Sequence, residues 1–192
     1  MDPVLPWEAG DRDLMIRCAG AFGPSHVTTR LCLRLMDRHR DHIANEPVLD
    51  VGCGTGILAL AAARMGAGHC TGLDICPRSV MTARRNGELN GLQRQAHWVL
   101  GSVEAIRGHF GWVLANLPFP ALQDLMGDLL RMVATRGRLL LSGFHDIDWH
   151  PVASRLKEGS MVILERLSGD LSFAAEPPSG SYTWMALMAE RN

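Results

Sequence analysis

The sequence predicts an α/β fold: a doubly wound, mostly parallel sheet of seven strands, finished at its C-terminal edge by an antiparallel hairpin. Three observations predict it. From Pro47 onward, short apolar β-rich runs alternate with segments of helical period. Parallel neighbours cannot be joined by a tight turn, so each strand–helix–strand passage implies a crossover. The last two β-rich runs have no helical pattern between them, which leaves an antiparallel pairing.

Each element has a local reason. Pro47 to Val51 is an apolar run of the length of one buried strand, and Gly56 to Met65 is an alanine-rich helix stopped by Gly66. His69 to Asp74 is the next strand. Pro77 presets φ for a first helical turn, opening a helix that runs to about Asn90 and stops at Gly91. Ala96 to Leu100 is a third strand, with a short helix from about Ser102. Trp112 to Ala115 and the amphipathic helix Ala121 to Ala134 form the fourth unit. Arg138 to Phe144 and the helix Trp149 to Lys157 form the fifth. Met161 to Leu167 and Tyr182 to Met188 are the hairpin strands. Between them, Pro177-Pro178-Ser179-Gly180 fits neither a helix nor a central strand. The first 46 residues hold one helix, Val27 to His42, behind an irregular arm.

Composition narrows the class. The chain has 192 residues, 47% of them hydrophobic and 20% charged, enough for one domain with a proper core. A formal net charge of −1 gives no global basic field for gripping nucleic-acid phosphates. The five cysteines (Cys18, Cys32, Cys53, Cys70, Cys76) form no Cys-x-x-Cys pair and are odd in number, so neither a zinc ribbon nor a disulfide framework is expected. The eight histidines lack a ligand-like spacing, and no metal is expected. No signal-length apolar run opens the chain, and no stretch approaches a bilayer span. The expected setting is the reducing cytoplasm, away from membranes. Nothing in the sequence points to a particular oligomeric state.

The strongest chemical signal is Asp50-Val-Gly-Cys-Gly-Thr-Gly56, between the first strand and its helix. Gly52, Gly54 and Gly56 let backbone pass close to a ligand at the carboxyl edge of a Rossmann-like sheet. Ile57 stands where a dinucleotide fingerprint wants its third glycine, which disfavours a nicotinamide oxidoreductase. S-adenosylmethionine (SAM) has no phosphate and carries cationic ammonium and sulfonium groups, so the acid at the loop entrance, Asp50, suits it. Asp74 ends the second strand, 18 residues after Gly56, where an acid accepts hydrogen bonds from ribose hydroxyls. A helix N-cap is the competing role for Asp74. Ile75 beside it is placed to pack on adenine. Ser102 and Val103, after the third strand, are the third expected contact. Ser102 has a hydroxyl acceptor for the adenine amine, or caps the next helix.

Six stretches in order carry a resemblance: Ala21-Phe-Gly-Pro-Ser-His-Val-Thr-Thr29, Val48 to Leu58, Gly72-Leu-Asp-Ile-Cys-Pro77, Ala83-Arg-Arg-Asn-Gly-Glu-Leu-Asn-Gly91, Leu114-Ala-Asn-Leu117 and Leu140-Leu-Ser-Gly143. The series resembles the catalytic domain of the PrmA family of bacterial ribosomal-protein methyltransferases, from about Ala21 to the C-terminus. The resemblance implies a SAM-dependent methyltransferase acting on a protein amino group. It implies that Phe22, His26, Thr28 and Thr29 fold over SAM near its methionine moiety, against the plainer role of a helix start capped by Ser25. Residues 1–46 are then an arm and helix covering the cofactor, and 47–192 the methyltransferase domain. Asn116 is the expected active-site residue, touching both the cofactor and the methyl acceptor. The following Leu117-Pro118-Phe119 falls between the PrmA pattern and the Asn-Pro-Pro-aromatic pattern of amide and nucleobase amino methyltransferases. In the latter, Asn accepts from a planar NH₂ and the aromatic ring, here Phe119, stacks on it.

The resemblance does not fix the acceptor. PrmA carries an N-terminal domain that docks its ribosomal protein, and about twenty irregular residues stand ahead of the shared region here. A protein acceptor is the favoured partner. An RNA, DNA or small-molecule amine is the alternative, and a non-catalytic SAM-binding subunit is the alternative of another class. No residue stands out as a general base.

Overall fold

The computed structural model describes residues 4–5, 14–18, 23, 25–169 and 183–192. Two short strands, β1 (Val4–Leu5) and β2 (Leu14–Met15), pair antiparallel. Helix α1 (Val27–Arg38) leads into β3 (Pro47–Val51), α2 (Ile57–Arg64), β4 (His69–Asp74), α3 (Pro77–Leu89) and β5 (Ala96–Leu100). Then come β6 (Phe110–Asn116), α4 (Phe119–Met132), β7 (Val133–His145), α5 (Trp149–Glu158), β8 (Met161–Gly169) and β9 (Trp184–Arg191). The seven-stranded sheet has the order β5-β4-β3-β6-β7-β9-β8. Its first five strands are parallel, and β9 runs antiparallel to both β7 and β8. The expected fold is the one observed.

Strand order reverses between β3 and β6, which opens a crevice at the carboxyl ends of those two strands. Alternating side chains separate the two faces of the sheet. On β6, Trp112 and Leu114 face α1 and α2, while Val113 and Ala115 face α4 and α5. Both faces are therefore apolar, as a sheet covered on two sides requires. Each fully buried large side chain contributes about 1.5–3 kcal/mol by leaving water.

Several boundaries differ from expectation. The helix expected to reach His42 is α1 to Arg38 followed by a 3₁₀ turn, Arg40–His42, and the short helix after β5 is a 3₁₀ turn, Val103–Ala105. Helix α4 begins at Phe119, because Pro120 is tolerated in a first turn. It ends at Met132, and Val133 pairs at once with Phe110 in the sheet. The last strand begins at Trp184 and continues to Arg191; Tyr182 lies outside the described residues.

The arm expected to be irregular is instead fastened to α3. Asn90 accepts from the Met15 N–H (2.9 Å) and donates to the Met15 carbonyl (2.8 Å). One turn earlier, Asn86 accepts from the Arg17 N–H (2.9 Å) and donates to the Arg17 carbonyl (3.1 Å) and the Thr55 carbonyl (2.9 Å). Two amides four residues apart on a helix thus grip two residues of extended chain, matching the two-residue strand period. Leu14 and Ile16 are buried in consequence.

At the opposite end of α1, a polar chain pins the helix to the C-terminal strands. Arg138 donates to His39 Nδ1 (3.1 Å), and His39 Nε2 meets Glu165 (3.0 Å), which Arg38 also binds.

Candidate active site

The crevice between β3 and β6 is a cavity of about 860 Å³. That is within the ordinary range for a site holding one nucleoside-sized ligand. The loop after β3 forms its floor. Gly52 has φ +69°, Gly54 φ +53° and Gly56 φ +79°, all in the region that favours glycine. A Cβ on Gly52 would stand 2.2 Å from Leu117 Cδ2, so only glycine lets the loop pass under the segment after β6. Gly56 has a different task. A Cβ there would stand 2.5 Å from the Trp98 ring, so this glycine serves helix–strand packing and does not line the cavity.

The loop N–H groups are committed internally. Gly52 and Cys53 donate to the Leu73 carbonyl and Gly56 to the Cys53 carbonyl, while Gly54 donates to Asp74 Oδ2 (2.9 Å). Asp50 Oδ2 accepts from Ala59 N–H in the first turn of α2 (3.1 Å). The carboxyl of Asp50 therefore occupies the helix N-terminus, where a dinucleotide site would hold a pyrophosphate. The described residues lining the cavity include Asp50, Asp74 and Asp124, and no Lys, Arg or His. Such a site suits a cation and repels a phosphate.

Thr29, Asp50, Gly52, Gly54, Asp74, Ile75, Ser102, Val103 and Asn116 all line this one cavity. Asp74 divides its oxygens between Gly54 N–H and Cys76 N–H (2.8 Å), holding the glycine loop against the end of β4. Each oxygen keeps a further lone pair for a hydroxyl donor. Cys76, not Asp74, is the cap residue of α3. Ile75 is 77% exposed and Val103 1% exposed, giving the adenine end one open and one recessed apolar contact. The Ser102 hydroxyl bonds to Glu104 and makes no cap hydrogen bond to the following turn. Asn116 ends β6, half-buried, and its amide has no side-chain hydrogen bond to another described residue. Thr55 Oγ1 is buried behind the cavity wall without a partner among the described residues.

Four expected contacts fall elsewhere. Gly56 packs on Trp98, as above. Thr28 is buried, its hydroxyl paired with His26 Nδ1 (2.8 Å), and His26 lies edge-on to Trp184 at 5.6 Å between ring centroids. Both stand behind Thr29, outside the cavity wall. Phe22 lies outside the described residues, as does Trp7. Phe119, the first residue of α4, lines a separate groove with Met126, Pro151 and Val152, between α4 and α5. Its ring is not in the cavity that holds Asn116. Phe119→Ala is therefore expected to cost about 1–2 kcal/mol of stability while leaving turnover within about twofold. Chemical denaturation and steady-state kinetics check this, and a stacking role would show as a large loss of turnover.

Sequence reasoning passed over Leu117, Asp124 and Thr55. Leu117 sits between two glycines, since a Cβ on Gly143 would stand 2.0 Å from its carbonyl oxygen. The juxtaposition of Gly52 and Gly143 with one leucine is long-range, and spacing along the chain carries no trace of it. Asp124 lies on the exposed side of an amphipathic helix, where acids are ordinary.

A sequence model of the family described as "Ribosomal protein L11 methyltransferase (PrmA)" matches residues 8–169. The chain belongs to this family. PrmA-family relatives include the ribosomal protein L11 methyltransferase of Dechloromonas aromatica (strain RCB), 44% identical over 124 residues, covering 64% of this chain and 40% of the relative. That of Geobacter sulfurreducens is 41% identical over 143 residues, covering 74% and 46%. The chain thus spans less than half the length of these relatives. The crystal structure of a ribosomal protein L11 methylase from Lactobacillus delbrueckii subsp. bulgaricus superposes with a TM-score of 0.75 at 26% identity, over 88% of this chain and 81% of that one. Magnesium protoporphyrin IX methyltransferase (ChlM) from Synechocystis PCC 6803, solved with bound SAM, shares the fold at a TM-score of 0.66 and 18% identity. PrmA is a SAM-dependent methyltransferase family, and the acidic, phosphate-averse cavity fits that cofactor.

Proposed function

We propose that the chain transfers a methyl group from SAM to an amino nitrogen of a protein; its relatives are named as methyltransferases of ribosomal protein L11. The observation that carries this reading is one cavity whose wall joins Asp50 and Asp74 to the unoccupied amide of Asn116. SAM, when bound, supplies an electrophilic methyl whose sulfonium leaving group needs no proton. Everything else falls to the chain's own side chains.

Asp74 holds the ribose hydroxyls, with Ile75 and Val103 on the two sides of the adenine and Ser102 at its edge. Asp50 and Thr29 take the methionine end. The acceptor ammonium first gives one proton to solvent water, and Asn116 then accepts a hydrogen bond from the neutral amine through its side-chain oxygen, turning the nitrogen lone pair toward the methyl. Catalysis is then mainly positioning. Helix α1 acts as part of the cover, reaching the cavity through Thr29. Ribosomal protein L11 is the acceptor to test first. The five cysteines are free thiols and no described helix is long and apolar enough to cross a membrane, which supports a cytoplasmic setting.

The test is transfer of labelled methyl from SAM to purified L11, to a total ribosomal protein fraction and to ribosomal RNA in parallel. Label in protein that survives acid hydrolysis and is recovered as methyl-lysine or as the N-methylated terminal residue supports the reading; label in RNA alone sinks it. Asn116→Ala is expected to lower turnover about 100-fold, the scale of a mispositioned reacting group. S-adenosylhomocysteine (SAH) affinity should change by less than about threefold, because Asn116 serves the acceptor.

A further inference from the structure

Asp50 is an unusual carboxyl. It is 2% exposed, lines the cavity, and has the Ala59 N–H as its hydrogen-bond donor. A buried carboxylate is costly unless a positive charge or several donors compensate it. The groups facing it from each neighbouring element supply no positive charge. Strand β4 contributes Asp74 at its end and Cys70; the glycine loop contributes Cys53; α1 contributes Cys32. Strand β6 places Leu114 beside it in register, and α2 gives the one N–H.

Those thiols stay neutral. Burial pushes Cys32 and Cys70 up to about 12, and pushes Cys53 up further. The remaining charge facing Asp50, that of Asp74, has the same sign. Burial first, and Asp74 after it, raise the Asp50 carboxyl from 3.8 to about 7, against the opposing pull of the Ala59 N–H. What the pocket lacks is a cation, and the proposed cofactor brings one.

We propose that Asp50 is a proton-linked selector for the amino-acid end of the cofactor: its carboxyl carries a proton in the ligand-free protein and releases it to solvent as the ligand's ammonium group enters. The inference rests on the SAM reading of the cavity. One O–H bond breaks, the proton passes to buffer, and a carboxylate–ammonium pair takes its place; no electrons are transferred. The new carboxylate is also a stronger acceptor for Ala59 N–H, so ligand entry firms the first turn of α2. A ligand with the adenosine part alone leaves the proton where it is.

The sign of the pH dependence follows from the linkage. Raising the pH ionises Asp50 before the ligand arrives and removes the cost of displacing its proton, so affinity rises with pH. With the carboxyl at about 7, SAH is expected to bind about eightfold more tightly at pH 7.5 than at pH 6, and to release about half a proton per site at pH 7.

Calorimetric titration of the whole chain with SAH at pH 7, in phosphate and then in imidazole buffer, reads the proton directly, since the observed enthalpy shifts by the buffer's heat of ionisation times the protons released. The expected result is that shift with SAH and with SAM, and none with 5′-methylthioadenosine, which lacks the amino-acid end. Asp50→Asn keeps an oxygen for Ala59 and is expected to bind SAH with a buffer-independent enthalpy. Saturable SAH binding with no buffer dependence overturns the inference and leaves the cofactor reading standing. Equal proton release with 5′-methylthioadenosine overturns it as well, and that comparison uses only the unaltered protein. Absence of SAH binding at every pH removes the cofactor reading and the inference together.

Discussion

Asp74→Ala is expected to weaken SAH binding about 100-fold. The expectation combines two losses. Hydrogen bonds to a charged acceptor contribute about 1.5–3 kcal/mol, and two ribose hydroxyls lose theirs. The same carboxylate also holds Gly54 N–H at 2.9 Å and Cys76 N–H at 2.8 Å, so its removal loosens the glycine loop from the end of β4. Equilibrium titration of the variant with SAH checks the size of the effect. Asp74→Asn separates the two causes, because the amide oxygen can take one N–H and one hydroxyl but the charge is gone. An affinity unchanged in the alanine variant would mean that Asp74 is purely a loop fastener and that the ribose lies elsewhere.

The second large effect is on the fold itself. Asn86→Ala is expected to lower the unfolding free energy by about 2–4 kcal/mol, since truncation strands the buried Thr55 carbonyl and releases the partly buried N–H and carbonyl of Arg17. Asn86 is 0% exposed, so water cannot replace the amide without rearrangement. Urea unfolding measures this loss. Because one of its bonds ends on Thr55 in the cavity wall, the variant should also bind SAH more weakly than its stability alone explains. Asn90→Ala, which frees Met15 but does not touch the glycine loop, is the matched control: it should loosen the arm and spare the cofactor.

Those two asparagines show where the sequence was legible and where it was not. Strands β3, β4 and β5 could be read to the residue, because each is a short β-rich run closed by glycine, proline or a polar turn, and β3, the most buried of them, leaves no other use for such a run. The antiparallel finish was legible because the sequence has no helical period between its last two β-rich runs. Val133 and Ala134 were not, since apolar residues at a helix end serve a helix or a strand equally well, and the pairing of Val133 with Phe110 decides it. The arm was illegible for a related reason. Its order comes from Asn86 and Asn90, 69 and 75 residues away, and a two-residue strand has no period of its own.

The site divides in the same way. Asp50, the glycines and Asp74 announce themselves because ligand approach to a strand–helix turn needs small residues and an acid at fixed spacing. Phe119 misleads because the sequence places it next to Asn116 without saying which way the ring turns. Pro118 is the last residue before α4, and Phe119 belongs to the helix, on the groove against α5.

The central claim is that the acidic cavity at the β3–β6 crevice is a SAM site and not a dinucleotide site. The most direct test is equilibrium titration of the purified chain with SAH, with NADH as the matched control. The account predicts saturable one-to-one binding of SAH, weakened about 100-fold in Asp74→Ala, and no saturable binding of NADH, whose pyrophosphate meets acidic side chains where it needs N–H groups. Saturable NADH binding, or a folded protein that ignores SAH, would contradict it.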